Sequence, residues 1–377
     1  MNHMGTILIV TPFFPPKIGG IQNHVFNLVK RIKKDNRIIV LTTSDYYKQA
    51  TIKPNIIVIG KRAKLAPMNN PIAFAMMYDG IKARPSLVHV HGIYQMTCII
   101  GLFIAKLTRC PCVVSMHGRP YYSSRIHSLI QRIYETTILR FILKRYNQVI
   151  ALTSYEKSFL VSIGIDEEKI SIIPNGVDTT YWIHSRDKTK KEEYGKYLLF
   201  VGSLIKRKNP LVLMEPFKIL KERKLVDKLV IVGKGPLKNE LMDLSRSMKI
   251  ENSVVFLDEL SRGNLRDLYG QSKVVIHPSL MEGLPTIVLE AMSTKSIIIS
   301  SNIPAVHNLI EKRKNGFLFE NEEKDSLLEA LLEALSLNHE EEETIRECAR
   351  AVMIQNYDWS VIVRNIELVY QMAFSCK

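Results

Sequence analysis

Ten short runs of apolar and β-branched residues recur along the chain, and they limit its fold more than any other feature. In the first half they are TILIVTPF (Thr6–Phe13), RIIVLTT (Arg37–Thr43), LVHVHG (Leu87–Gly92), CVVSMHG (Cys112–Gly118) and QVIALT (Gln148–Thr153). In the second half they are YLLFVGSL (Tyr197–Leu204), KLVIVGKGP (Lys228–Pro236), SVVFLDEL (Ser253–Leu260), KVVIHPS (Lys273–Ser279) and SIIISS (Ser296–Ser301). Runs with no polar face read as strands buried on both sides, hence as parallel sheets covered by helices. Segments of helical period lie between them, such as HVFNLVKRIK from His24 and NPLVLMEPFKILKERK from Asn209. Strand then helix, repeated in two series, predicts an α/β chain of two Rossmann-like, doubly wound domains.

The boundary is expected where WIHSRDKTKKEEYGK, between Tyr181 and Tyr197, is charged and lacks a hydrophobic period. That gives domains over 1–184 and 185–355, with a terminal helical segment over 356–377. At 377 residues, 46% hydrophobic and 24% charged, the chain is long enough for about two domains, and disordered or collagen-like classes are excluded. Five cysteines without C-x-x-C spacing argue against a disulfide scaffold or zinc finger and for a reducing cytosol. No basic segment precedes the first apolar run, and the longest apolar stretch, Met96–Leu107, is too short to span a bilayer. The expectation is a soluble, cytoplasmic protein without a signal peptide.

Charge is uneven. Residues 1–184 carry 23 Lys and Arg against 9 Asp and Glu, whereas residues 185–377 carry 29 against 28. The first half therefore suits an acidic partner, with nucleic acid, an anionic membrane surface, a phosphorylated acceptor or a merely solubilising surface as the options. Tyr121–Tyr146 mixes Arg and Lys with Ile, Leu and Tyr at helical spacing, as interfacial helices and plain surface helices both do.

Doubly wound sheets bind ligands beyond the carboxyl ends of their strands, and four strand ends carry chemistry. Gly19 and Gly20 follow the first strand and precede a helix, where a backbone free of Cβ atoms can approach a phosphate, although such a pair can also be a simple turn. His89, His91 and His117 stand at two strand ends; zinc binding is conceivable, but handling of a proton or an acceptor hydroxyl fits better without a carboxylate partner. Lys206, Arg207 and Lys208 precede a helix in GSLIKRKNP, as a diphosphate cradle or a solvated basic loop. In HPSLMEGLPTIVLEAM, Glu282 lies in the loop before a helix opened by Pro285, and Glu290 follows about two turns later. Carboxylates there can accept hydroxyls of a sugar or ribose, and the amides at the helix start can meet an anion. No G-x-G-x-x-G or Walker sequence is present, which excludes the usual NAD and P-loop classes.

These words, in this order, resemble the GT4 family of GT-B glycosyltransferases: the Gly19–Gly20 loop, HVHG, the M-H-G of His117, IPNGVD (Ile173–Asp178), VGSL…K to Lys208, GKGP from Gly233, and E-x7-E from Glu282 to Glu290. NGFLF (Asn315–Phe319) and DWS (Asp358–Ser360) follow in similar places. The resemblance implies two Rossmann-like domains facing a cleft, and retaining transfer of a UDP- or GDP-linked sugar to an acceptor hydroxyl with no cofactor and no required metal. The absence of D-x-D agrees. It further implies that His117 and Glu282 are catalytic, with Glu282 holding sugar hydroxyls and His117 lining the acceptor side. Donor binding would fall to Gly20, Arg207, Lys208, Gly233, Gly283, Leu284, Pro285, Thr286 and Glu290. The terminal helix would cross back to the first domain, which binds the acceptor. A lipid-linked or anionic acceptor at the inner face of the membrane, and no nucleic acid, complete the expectation. A sugar-nucleotide 2-epimerase of the same fold is the alternative, with a nucleic-acid-binding protein, which would leave E-x7-E and IPNGVD unexplained, behind it. Departures from the pattern are Ser203, where Arg is common, Pro285, which removes an amide, Lys295 and Asp258.

Overall fold

The structure is a computed structural model that describes residues 5–16, 19–33, 35–43, 48–63, 73–120, 124–183, 194–321, 323 and 325–375. Most of the charged stretch expected at the boundary (184–193), the first three residues of the Tyr121–Tyr146 segment, and Cys376 lie outside the described residues. The other four cysteines, Cys98, Cys110, Cys112 and Cys348, are free thiols.

Two compact units emerge, Met1–Asn175 with Trp359–Lys377, and Gly176–Asp358. The division falls at Asn175 and Gly176, earlier than the 184/185 expected from charge. The reason is local bonding: Val177 N–H donates to Tyr357 O (2.8 Å), Thr179 Oγ1 to Asp358 Oδ2 (2.7 Å), and the Arg350 guanidinium to Thr179 O (3.2 Å). These bonds tie residues 177–179 to the end of the second unit, and residue 359, not 356, begins the return to the first.

The first unit contains strands β1 (Thr6–Thr11), β2 (Arg37–Thr43), β3 (Ala50–Lys53), β4 (Ile56–Lys61), β5 (Leu87–His91), β6 (Cys112–Ser115), β7 (Gln148–Ala151) and β8 (Ile170–Ile172). They form one sheet in the order β3-β4-β2-β1-β5-β6-β7-β8, parallel throughout except for the β3–β4 edge pair. Its helices are α1 (Gly20–Arg31), α2 (Met76–Lys82), α3 (Met96–Thr108), α4 (Arg125–Tyr134), a π turn (Glu135–Leu139), α5 (Arg140–Leu143) and α6 (Ser154–Ser162). Alternate residues of each strand feed opposite cores, as the pleat requires. Ile7, Ile9, Ile38 and Val40 pack with Val25 and Leu28 of α1, while Leu8, Val10, Ile39 and Leu41 pack with residues of α2, α3, α5 and α6.

The second unit contains β9 (Tyr197–Val201), β10 (Lys228–Val232), β11 (Val254–Leu257), β12 (Val274–His277), β13 (Ile298–Ser301) and β14 (Phe317–Phe319), an all-parallel sheet ordered β11-β10-β9-β12-β13-β14. Around it stand α7 (Met214–Glu222), α8 (Lys238–Ser247), α9 (Arg262–Gln271), α10 (Thr286–Ser293), α11 (Ser326–Leu335) and α12 (His339–Val352). The terminal helix α13 (Trp359–Ser375) belongs to the first unit, where Trp359, Ile362, Ile366 and Tyr370 enter the core beside α1. Strand order reverses at β1/β5 in one unit and at β9/β12 in the other, so each sheet has a switch point at which loops diverge. Among the described residues no helix is long and apolar enough to cross a membrane.

Candidate functional site

In the second unit the loops after β9 and β12 leave the switch point side by side. Lys206–Lys208 form a single 3-10 turn after β9, and the Leu280 amide donates to Arg207 O (2.8 Å), which ties the two loops together. Glu282 is thereby brought onto both cations. Its Oε2 accepts from Arg207 Nη1 (3.0 Å), and its Oε1 accepts from Lys208 Nζ and from Ser279 Oγ (3.0 Å). His277 Nε2 lies 3.8 Å from the same oxygen. Burial alone would raise this carboxyl, but His277, Lys208 and Arg207 overcome it and hold Glu282 well below the usual carboxylate range. His277 itself is lowered, chiefly by burial, with Ser300 Oγ at 2.9 Å from its Nδ1. One carboxylate thus faces two cations, and the cluster keeps a net positive charge.

Gly283 and buried Leu284 lead to Pro285, which occupies the N-cap of α10 and accepts from Val288 N–H at 3.2 Å. Thr286 is the first helical residue, so its amide and that of Ile287, ahead of the bonded Val288 amide, start the helix without intrahelical acceptors. Glu290 points elsewhere: Tyr269 O–H donates to its Oε2 (3.4 Å). Burial raises its carboxyl to about 7, against the opposing influence of Arg262 and Tyr269. Gly233 is required by packing. With φ at +148°, a Cβ there would overlap the carbonyl oxygen of Gly202, so only glycine lets the loops after β9 and β10 touch backbone to backbone. Ser203 is exposed on the first of these loops, and Lys238 pairs with Asp258.

Gly20 and His117 belong to the first unit. Gly20 opens α1, and a Cβ on it would meet open space, whereas one on Gly19 would strike the Gln22 side chain. His117 adopts a left-handed backbone (φ +62°) after β6, and its Nε2 lies 2.8 Å from His91 Nδ1. The predicted trio of His89, His91 and His117 is revised. Both ring nitrogens of His89 are engaged, by Tyr370 O–H and Ser115 Oγ at 2.8 Å each, so it cannot also be a ligand. His24 from α1 takes its place, with its ring 4.8 Å from that of His117 and 5.2 Å from that of Trp359. The ligand nitrogens of His24, His91 and His117 lie within 4.8 Å of one another, the group among the described residues that could hold a cation. Burial pushes His24 down to about 4 and His89 to about 3, and holds His91 and His117 well below 6.5, so all four are neutral at pH 7.

Two features were invisible in the sequence. Glu156 of α6 is buried beneath this loop and accepts from Leu152 N–H (2.7 Å); burial raises it to about 7. Arg119 is committed to the buried Glu135 by two bonds of 3.2 and 2.8 Å, beside Tyr94 O–H at 2.7 Å. It adds no free charge for an acceptor.

Comparison with known proteins matches residues 18–181 to Glycosyltransferase Family 4 and residues 183–352 to Glycosyl transferases group 1. An Escherichia coli UDP-Gal:alpha-D-GlcNAc-diphosphoundecaprenol alpha-1,3-galactosyltransferase is 32% identical over 67% of this chain and 66% of its own length. The gpi3 subunit of the Schizosaccharomyces pombe phosphatidylinositol N-acetylglucosaminyltransferase is 22% identical over 96% of this chain and 79% of its own. Among solved structures, Anabaena HepE in complex with UDP superposes with a TM-score of 0.79 at 19% identity, covering 97% of this chain and 99% of that one, which speaks to the fold. With two doubly wound units and family matches that between them leave out little but the ends, the chain belongs to the GT4 glycosyltransferases and has the GT-B fold.

Proposed function

We propose that this glycosyltransferase moves a sugar, with retention, from a UDP- or GDP-sugar to a hydroxyl of a lipid-linked or otherwise anionic acceptor, without a required metal, at the inner face of the membrane. The observation that carries the reading is the Arg207–Lys208–Glu282 cluster at the switch point of the second sheet. A diphosphate arriving there competes with Glu282 for both cations. As Lys208 and Arg207 turn to the phosphates, the carboxylate is released towards the sugar hydroxyls, which donate to it. Charge that develops on the leaving diphosphate then meets fixed cations and the first amides of α10, the task a metal performs elsewhere. Glu290 takes ribose hydroxyls and Gly20 leaves room for the diphosphate. His117, neutral and held by His91, lies on the acceptor side, where an imidazole can exchange a proton with a hydroxyl.

The UDP-linked donor named for the E. coli relative, the UDP bound by HepE and the lipid acceptors named for the E. coli and S. pombe relatives support this reading. The test is a thermal-shift screen against UDP, GDP and ADP and their sugar conjugates, with EDTA present. A ligand at about 100 times its Kd adds ~2.7 kcal/mol, which moves the midpoint by roughly 5–10 °C for a unit of this size. A shift confined to the UDP or GDP series in EDTA is expected. No shift with any nucleotide, or one that needs a divalent cation, refutes the donor site as described.

A further inference from the structure

We infer that the run from α4 to α5 is the surface by which the first unit docks on an anionic phospholipid membrane; this deepens the lipid-acceptor reading above and rests on it for its biological sense. Six large apolar side chains, Ile126, Leu129, Ile130, Ile133, Ile138 and Phe141, are 55–70% exposed. The first four recur at the i, i+3, i+4, i+7 spacing that makes one stripe on an α-helix. The next step, from Ile133 to Ile138, is five residues, which on a regular α-helix would swing the side chain to another face. The π turn at Glu135–Leu139 absorbs the extra residue, so the stripe continues through Ile138 to Phe141. On the other side of the same run, Leu139, Ile142 and Leu143 are buried in the core beneath the sheet, which fixes the stripe facing outward. The same helix layer remains apolar on its outer surface at Tyr78 of α2 and Phe103 of α3, which are 70% and 51% exposed.

Charge selects the occupant. Between Ser124 and Tyr146 the chain carries five Lys and Arg and one acid, Glu135. That acid is 2% exposed and neutralised by Arg119, so it presents nothing to solvent. Arg132, Arg140, Lys144 and Arg145 are all exposed. Within the run every exposed charged side chain is a cation, and Asp166 and Glu167, on the turn against its C-terminal end, are paired with Lys169 and Lys157. Such a stripe fits the boundary between acyl chains and anionic headgroups, where each part gains. A second copy of the chain would have to bring two such basic borders together.

The experiment is co-sedimentation of the full chain with vesicles of phosphatidylcholine alone or mixed with phosphatidylglycerol, in the absence of donor and acceptor. Binding to the phosphatidylglycerol vesicles that weakens with salt is expected. I130E/I133E, which alters exposed side chains only, should lower it by roughly tenfold or more while leaving circular dichroism and the nucleotide-induced thermal shift unchanged. Equal binding to both vesicle types, no binding, or an unaltered double variant overturns the inference. So does a concentration-dependent dimer that the double variant abolishes, because that assigns the stripe to self-association. Because the readout needs neither donor nor transfer, failure here is separable from failure of the proposed reaction.

Discussion

Glu282→Gln separates the two duties assigned to that residue. In the absence of ligand its carboxylate sits on Arg207 and Lys208, with side-chain exposures of 10%, 35% and 16% for the three. Removing one partner of a buried pair costs roughly 3–5 kcal/mol, whereas an exposed pair contributes about 0–1 kcal/mol. This mostly buried but solvent-accessible cluster falls between, at about 1–3 kcal/mol of stability. The depressed carboxyl contributes that stability above the ordinary glutamate range and loses it only as pH falls through the native value, so the difference between variant and wild type is constant from about pH 5 upward. The amide keeps the shape but leaves two cations without their counter-charge. Titration calorimetry should therefore show UDP, which has no sugar, binding at least as tightly as to wild type, with up to roughly a tenfold gain, while transfer falls by about 10²-fold or more. A parallel loss of UDP affinity and turnover would mean that Glu282 only scaffolds the loop, and full activity would remove it from the site.

Glu290→Gln should abolish a pH dependence. Its carboxyl titrates near 7 in the native chain, above its value near 4.5 when unfolded, so the stability tied to the bound proton is present at low pH and lost as pH rises through that window. Donor affinity should rise over the same window as the carboxylate forms, and the variant should show neither trend in melting or binding against pH. His117→Ala should reduce kcat far more than donor affinity, by about 10²-fold if it handles the acceptor proton; steady-state kinetics with unchanged kcat would sink that role. Gly233→Ala should cost about 2–4 kcal/mol, since it combines a strained φ with a backbone overlap, and Gly20→Ala, which meets open space, should keep the wild-type melting point while weakening donor binding. Equal melting points for the two alanine variants would refute the distinction.

The parallel strands were readable from the chain alone because a strand covered on both faces must be apolar throughout, and β2 begins and ends where RIIVLTT does. Strands that break this condition were missed: β4 alternates between buried and half-buried positions, and β8 and β14 are three residues each, too short for a pattern. Loop residues such as Glu282 and Gly233 were legible because chemistry at a strand end requires particular side chains, or none, at a particular spacing.

What the sequence by itself determined is therefore local: which segments are buried on both sides, and which loops carry carboxylates, cations and glycines. Only the tertiary structure decided the partners. His24 joins His91 and His117 from another helix while His89 is drawn off to Tyr370; Arg119 is consumed by Glu135; and Glu282 is fixed by cations 74 and 75 residues away. The division at Asn175 likewise depends on bonds from Val177 and Thr179 to Tyr357 and Asp358, residues nearly half the chain apart. Periodicity reports the environment along one segment; pairings of this kind arise only when separate strands converge on one sheet end, and no local pattern encodes them.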